Sequence, residues 1–117
     1  ITIPGNVKEI PDWIFTNCTS LKDITLSHGV QKIGVIPFKN TGITALTLPE
    51  SITVLDSLAL SEIYHLDTLQ VAWKKPLPIQ ANIFASTPMK HLRVPRGCAA
   101  AYRQAEVWKE FNNISEY

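Results

Sequence analysis

Ser61, His65 and Asp67, in the run SEIYHLD, hold the three side-chain types of a nucleophilic hydrolase. That chemistry needs a hydroxyl activated by an imidazole, a carboxylate to orient the imidazole, and N–H donors for the oxyanion, all around one pocket. The surrounding sequence supplies neither donors nor pocket. His28 and His91 occupy other places in the pattern described below and do not converge with His65. Cys18 and Cys98 have no second ligand at a CxxC or HxxxH spacing, so no metal site is expected. The five glycines are scattered and make no phosphate-cradling loop. No catalytic, metal-binding or cofactor-binding residue is assigned, and an enzyme is not expected. Asn17-Cys18-Thr19 and Asn113-Ile114-Ser115 have the form of glycosylation acceptors, which would mark exposed loops only in a host that glycosylates them.

The elements that position these residues repeat. ITIPGNVKEI is echoed by ITLSHGVQKI, LTLPESITVL, LQVAW and LRVPRG, beginning at Ile1, Ile24, Leu46, Leu69 and Leu92. A period near 23 residues is the mark of a solenoid, in which one short unit stacks on copies of itself. Aligned repeats give columns. The first reads Ile1, Ile24, Leu46, Leu69, Leu92, and the next Ile3, Leu26, Leu48, Val71, Val94. Alternation at period two places both on the inner face of a short strand. Further core columns are Val7, Val30, Ile52, then Ile10, Ile33, Leu55, then Phe15, Phe38, Leu60 and Phe84, the last displaced by an insertion. Pro4, Pro49 and Pro95 end the strands.

The expected fold is an α/β solenoid: a right-handed superhelix with a short-stranded parallel sheet and an irregular or helical convex side. Residues 1–97 form about four and a half repeats of 22–23 residues, and 98–117 a C-terminal helical cap with no sixth repeat. The return paths should be loops and short helical turns, 56–66 having the best helical pattern. Repeat four, with AWKKPLPIQ, reads as irregular coil. In the cap, Tyr102, Ala105, Trp108, Phe111 and Ile114 make an apolar stripe with a break near Glu106, and Trp108 and Phe111 plug the last rung. Cys18 and Cys98 lie four rungs apart, roughly 19 Å, beyond the roughly 7 Å a disulfide spans. Cys18 is expected in the core and Cys98 at the surface.

Composition excludes some partners. The formal net charge is +1 and charged residues are 18% of the chain, so no pull toward nucleic acid is written in. No apolar run reaches the roughly 18 residues that cross a membrane.

With these residues in view, the chain resembles the BspA-like leucine-rich repeats of bacterial surface proteins. Their unit runs roughly I-x-I-P-x-x-V-x-x-I-G-x-x-A-F-x-x-C-x-x-L, and ITIPGNVKEIPDWIFTNCTSL (1–21) follows it closely, including Cys18. ITLSHGVQKIGVIPF (24–38) keeps the I-G-x-x-x-F portion, and Val94 to Glu116 resembles the closing segment of such proteins. The resemblance implies a secreted or cell-surface module, without catalytic residues, that mediates protein interaction or adhesion. It also suggests the terminal part of a longer array, whose open first rung could pair two chains end to end.

The expected binding surface is the outward, concave face of the strands: Thr2, Thr25, Thr47, Gln70 and Arg93, flanked by Asp23, Thr68 and His91. The simpler reading is a threonine ladder, because β-branched residues suit exposed strands. The functional one is a flat hydrogen-bonding face for a protein or a glycan. Trp13, Ile36 and Leu58 form a second column that is an apolar partner stripe if exposed, or mutual cover between rungs if not. Trp73 beside Lys74 and Lys75 would suit a sugar if it lies on the convex surface. A spacer or capping role without a ligand of its own is the third reading.

Overall fold

In a computed structural model covering residues 1–117, strands of successive repeats lie parallel and side by side. The first row is β1 (Thr2–Ile3), β3 (Thr25–Leu26), β5 (Ala45–Leu48), β7 (Thr68–Val71), β8 (His91–Val94) and β9 (Asn113–Glu116). β1 pairs with β3, and β5, β7, β8 and β9 form a four-stranded sheet, with β3 packed beside β5. The register repeats the sequence period: Thr2 opposes Thr25, Leu46 opposes Leu69, and Leu69 opposes Leu92. Alternate residues face the core. In β5 and β7, Leu46, Leu48, Leu69 and Val71 are buried while their neighbours are exposed or half-buried.

Ile10, Ile33, Val30, Ile52, Phe38, Leu60 and Phe84 join these strands in one continuous core. Each large apolar side chain taken out of water contributes about 1.5–3 kcal/mol. One repeat has too few of them to fold alone, so stacking is what makes the unit stable.

The return path departs from expectation. Part of it is a second parallel sheet: β2 (Glu9–Ile10), β4 (Lys32–Ile33) and β6 (Val54–Leu55). The pattern V-x-x-I places one inward side chain on each of these two-residue strands, too short a signal to read as a strand. Residues 56–66 are not helical but a chain of tight turns. Leu58 (φ 60°) and Glu62 (φ 57°) adopt left-handed backbone, which no α-helix accommodates. The same pair of positions is left-handed at Trp13 and Asn17, and at Ile36 and Asn40. The turns hand their hydrogen bonds to the next repeat instead, as when Leu60 N–H donates to Ile83 O at 3.0 Å and Glu62 N–H to Ala85 O at 2.9 Å.

Repeat four has no strand of the second sheet, and residues 74–80 run irregularly before a 3₁₀ turn at Ala81–Phe84. Trp73 is not a surface residue as the sugar reading requires. It is 7% exposed, and its indole N–H donates to Ile52 O at 2.8 Å.

The terminal segment is α1 (Ala99–Gln104), a 3₁₀ turn at Trp108–Glu110 and β9. The helix breaks at Ala105–Val107, where Val107 has φ 72°. Trp108 is buried among aromatic rings, with Trp73, Phe84, Tyr102 and Phe111 centred 5.9, 5.7, 5.6 and 6.4 Å away. The segment expected to be a helical cap without a sixth repeat carries a sixth strand. Asn113–Glu116 pairs in parallel with β8, Ile114 opposing Leu92, so Ile114 is a strand core residue and not part of a helical stripe. The helical structure within 98–117 is limited to α1 and the one 3₁₀ turn. No helix is long and apolar enough to cross a membrane.

Candidate functional site

The expected site residues divide between the first sheet and its margins. Thr2, Thr25 and Thr47 project outward from β1, β3 and β5 and are exposed. Gln70 follows on β7 and Arg93 on β8, both half-buried, in register with Thr47 and with each other. Thr68 and His91 form the parallel column, also half-buried, and Asp23 is exposed just before β3. The face is thus assembled from consecutive strands, one residue of each column per rung.

The structure adds residues that the reading without a sixth strand could not place. β9 extends both columns with Asn113 opposite His91 and Ser115 opposite Arg93. His91 Nε2 lies 2.7 Å from Ser115 Oγ. Arg93 stacks its guanidinium over the Tyr117 ring, 5.5 Å from the centroid, a cation–π contact. The Tyr117 hydroxyl reaches across two strands to donate to Val71 O at 2.8 Å, and burial raises its pKa against the opposing pull of Arg93. The signal was present: Ile114 stands 22 residues after Leu92, the spacing of other strand columns. The face therefore changes character along its length, from small threonines to a polar, cationic and aromatic end.

The second column is not a continuous stripe. Ile36 is buried, Leu58 is half-buried, and Trp13 is 51% exposed. Lys39 Nζ sits 5.9 Å from the Trp13 ring centre and 3.5 Å from Glu62 Oε2. Trp13 instead belongs to the uncovered first rung, with Ile1 60% and Ile14 50% exposed.

The residues with hydrolase side chains are not brought to work together. Ser61 is buried and its hydroxyl donates to Ala85 O at 2.6 Å, while His65 and Asp67 are exposed and no hydrogen bond joins the three. Asp67 Oδ2 accepts instead from the Thr68 hydroxyl at 3.4 Å. No three His, Cys, Asp or Glu residues gather as a metal-binding group. The cysteines reverse their expected places: Cys18 is exposed and Cys98 half-buried, both as free thiols. Cys18 ends a turn whose core position is taken by Phe15, stacked on Phe38 at 6.1 Å. Of the acceptor asparagines, Asn17 receives the Asn40 amide at 3.1 Å and Asn113 opens β9.

A file of parallel two- to four-residue strands, one per 22–23 residues, with a polar outer face and an apolar inner one, defines a repeat protein. The BspA type leucine-rich repeat region matches residues 1–113 in six copies, and the chain belongs to that family. The six matched copies end at residue 113, where β9 begins. No match was found among curated proteins.

Proposed function

We propose that this chain is a non-enzymatic leucine-rich repeat module of a secreted or bacterial surface protein, binding a protein partner through the outer face of the first sheet. One observation carries the reading. The outward column Thr2, Thr25, Thr47, Gln70, Arg93, Ser115 places one residue on each of six strands, and Arg93, His91 and Tyr117, side chains that can recognise a ligand, stand together near its end. Arginine and tyrosine are the residues that most often anchor protein interfaces. In this reading α1 and the Trp108 turn close the end of the solenoid. They shield the aromatic core there while β9 extends the sheet.

A glycan ligand is the second reading, favoured by Tyr117, 44% exposed on a face otherwise lacking aromatics. Labelled chain applied to mammalian host cells in suspension and to an array of immobilised glycans tests both. Arg93→Glu combined with Thr47→Trp should lower cell-bound signal by about ten-fold or more, the effect of losing one interface anchor. Gln31→Glu, away from this face, should leave it unchanged. Equal loss for both variants, or for neither, sinks the outer-face reading. Signal on the array that disappears with Tyr117→Ala would favour the glycan.

A further inference from the structure

The second sheet stops at β6, and the sequence of the next repeat explains why. Counting 23 residues on from Thr53, Val54 and Leu55 reaches Pro76, Leu77 and Pro78. The prolines have no N–H to donate. The carbonyl between them, that of Leu77, is turned away and accepts the Trp108 indole N–H at 2.8 Å. In the two earlier rungs the matching carbonyls are used. Lys8 O accepts from Gln31 and Lys32, Ile10 O from Gly34, Gln31 O from Thr53 and Val54, and Ile33 O from Asp56. Thr53 O and Leu55 O receive no such donor, so β6 presents an unpaired edge within the array and not at its end.

A groove of about 380 Å³ lies along that edge, lined by Thr53, Val54, Leu55, Pro78, Ile79 and Gln80. Its walls offer apolar cover from Val54, 47% exposed, and from half-buried Leu55 and Ile79. No carboxylate lines it. The adjacent Asp56 is occupied by Lys32, 3.7 Å away, and by the Ser57 N–H at 2.9 Å. Exposed Lys74 and Lys75 stand immediately before the proline segment.

We propose that the β6 edge binds an extended acidic peptide segment of a partner protein, which adds to the second sheet as a further strand. Its N–H groups, two residues apart, donate to Thr53 O and Leu55 O. An apolar side chain between them enters the Val54–Ile79 groove, and its carboxylates face Lys74 and Lys75. Backbone pairing supplies affinity and the groove and lysines supply preference, as in other strand additions. The site is separate from the outer face of the first sheet, and either can fail alone.

The probe is the end-blocked hexapeptide Glu-Val-Glu-Val-Glu-Val, titrated into the full chain and followed by amide chemical shifts. Shifts should concentrate at Thr53–Asp56 and Ile79–Gln80. N-methylating the peptide glutamates, whose N–H groups flank the inward valine, should weaken binding about ten-fold or more, since two hydrogen bonds are lost. Lys74→Glu with Lys75→Glu should weaken it as well, while Arg93→Glu should not. Absence of shifts at millimolar peptide, equal binding of the N-methylated peptide, or shifts centred on β2 or β9 would overturn the proposal. So would concentration-dependent shifts of the same amides without peptide, which would give the edge to a second copy of the chain.

Discussion

At the scale of single residues, the turns store backbone strain at predictable places. Non-glycine residues in left-handed backbone cost roughly 1–2 kcal/mol each, less for asparagine, which visits that region readily. Asn17 and Asn40 suit the position; Glu62 and Ser86 occupy its equivalents at φ 57° and 61°. Ser86 is exposed and makes no side-chain hydrogen bond, so it isolates the backbone effect. Ser86→Gly is therefore expected to stabilise the chain by up to about 1 kcal/mol, the relief of strain exceeding the extra freedom of the unfolded glycine. Urea unfolding checks it, and an unchanged or lower midpoint would count against strain there. Gly29 shows the opposite demand: at φ 114°, an added Cβ would lie 2.5 Å from Gly5 O of the neighbouring rung.

At the scale of elements, α1 depends on β9. Cys98 provides no side-chain cap, and the helix start is served instead by Glu116, whose Oε2 accepts from Ala99 N–H at 3.1 Å. Hydrogen bonds from the Gly97 and Ala99 backbone, aided by Arg103 and Arg96, hold the Glu116 carboxyl below its usual range. A depressed folded-state pKa contributes stability above the unfolded glutamate value, about 4.3. That contribution is lost as pH falls through the folded value. Glu116→Gln should thus be less stable than the parent chain at neutral pH. The gap should narrow at an acid pH below the folded value, where both side chains are neutral. A stability gap unchanged by pH, measured by denaturant unfolding at the two values, would show that packing and not charge ties β9 to α1.

At the scale of the whole molecule, the two ends differ. One is closed by Trp108, Phe111 and β9, while the other leaves Ile1, Trp13 and Ile14 half or more exposed beside the free outer edges of β1 and β2. Apolar surface joined to a free strand edge promotes association. Light scattering should give a mass above 13.1 kDa that returns to it on Ile14→Asp, with or without reductant. A mass of 13.1 kDa throughout would exclude pairing through the first rung. Dissociation by reductant alone would assign the contact to a disulfide between chains, with exposed Cys18 the accessible thiol.

The sequence by itself determined the period, the outward set Thr2, Thr25, Thr47, Gln70 and Arg93, and the inward columns except in the first rung, where Ile1 and Val7 are exposed. Each follows from strand alternation repeated at fixed spacing, a local property multiplied by copies. The family was legible for the same reason. Tertiary structure decided what the period does not encode. Two-residue strands such as Glu9–Ile10 exist only because a neighbouring rung offers hydrogen-bond partners. The turns at 56–66 are not helical because Leu58 and Glu62 are left-handed and Leu60 and Glu62 give their N–H groups to the next rung. Ile114 carries the same apolar signal on a helix as on a strand, and pairing with Leu92 alone settles which it is. Trp73 lies inside because the Trp108 segment folds back over it, a contact between residues 35 apart that no repeat spacing contains.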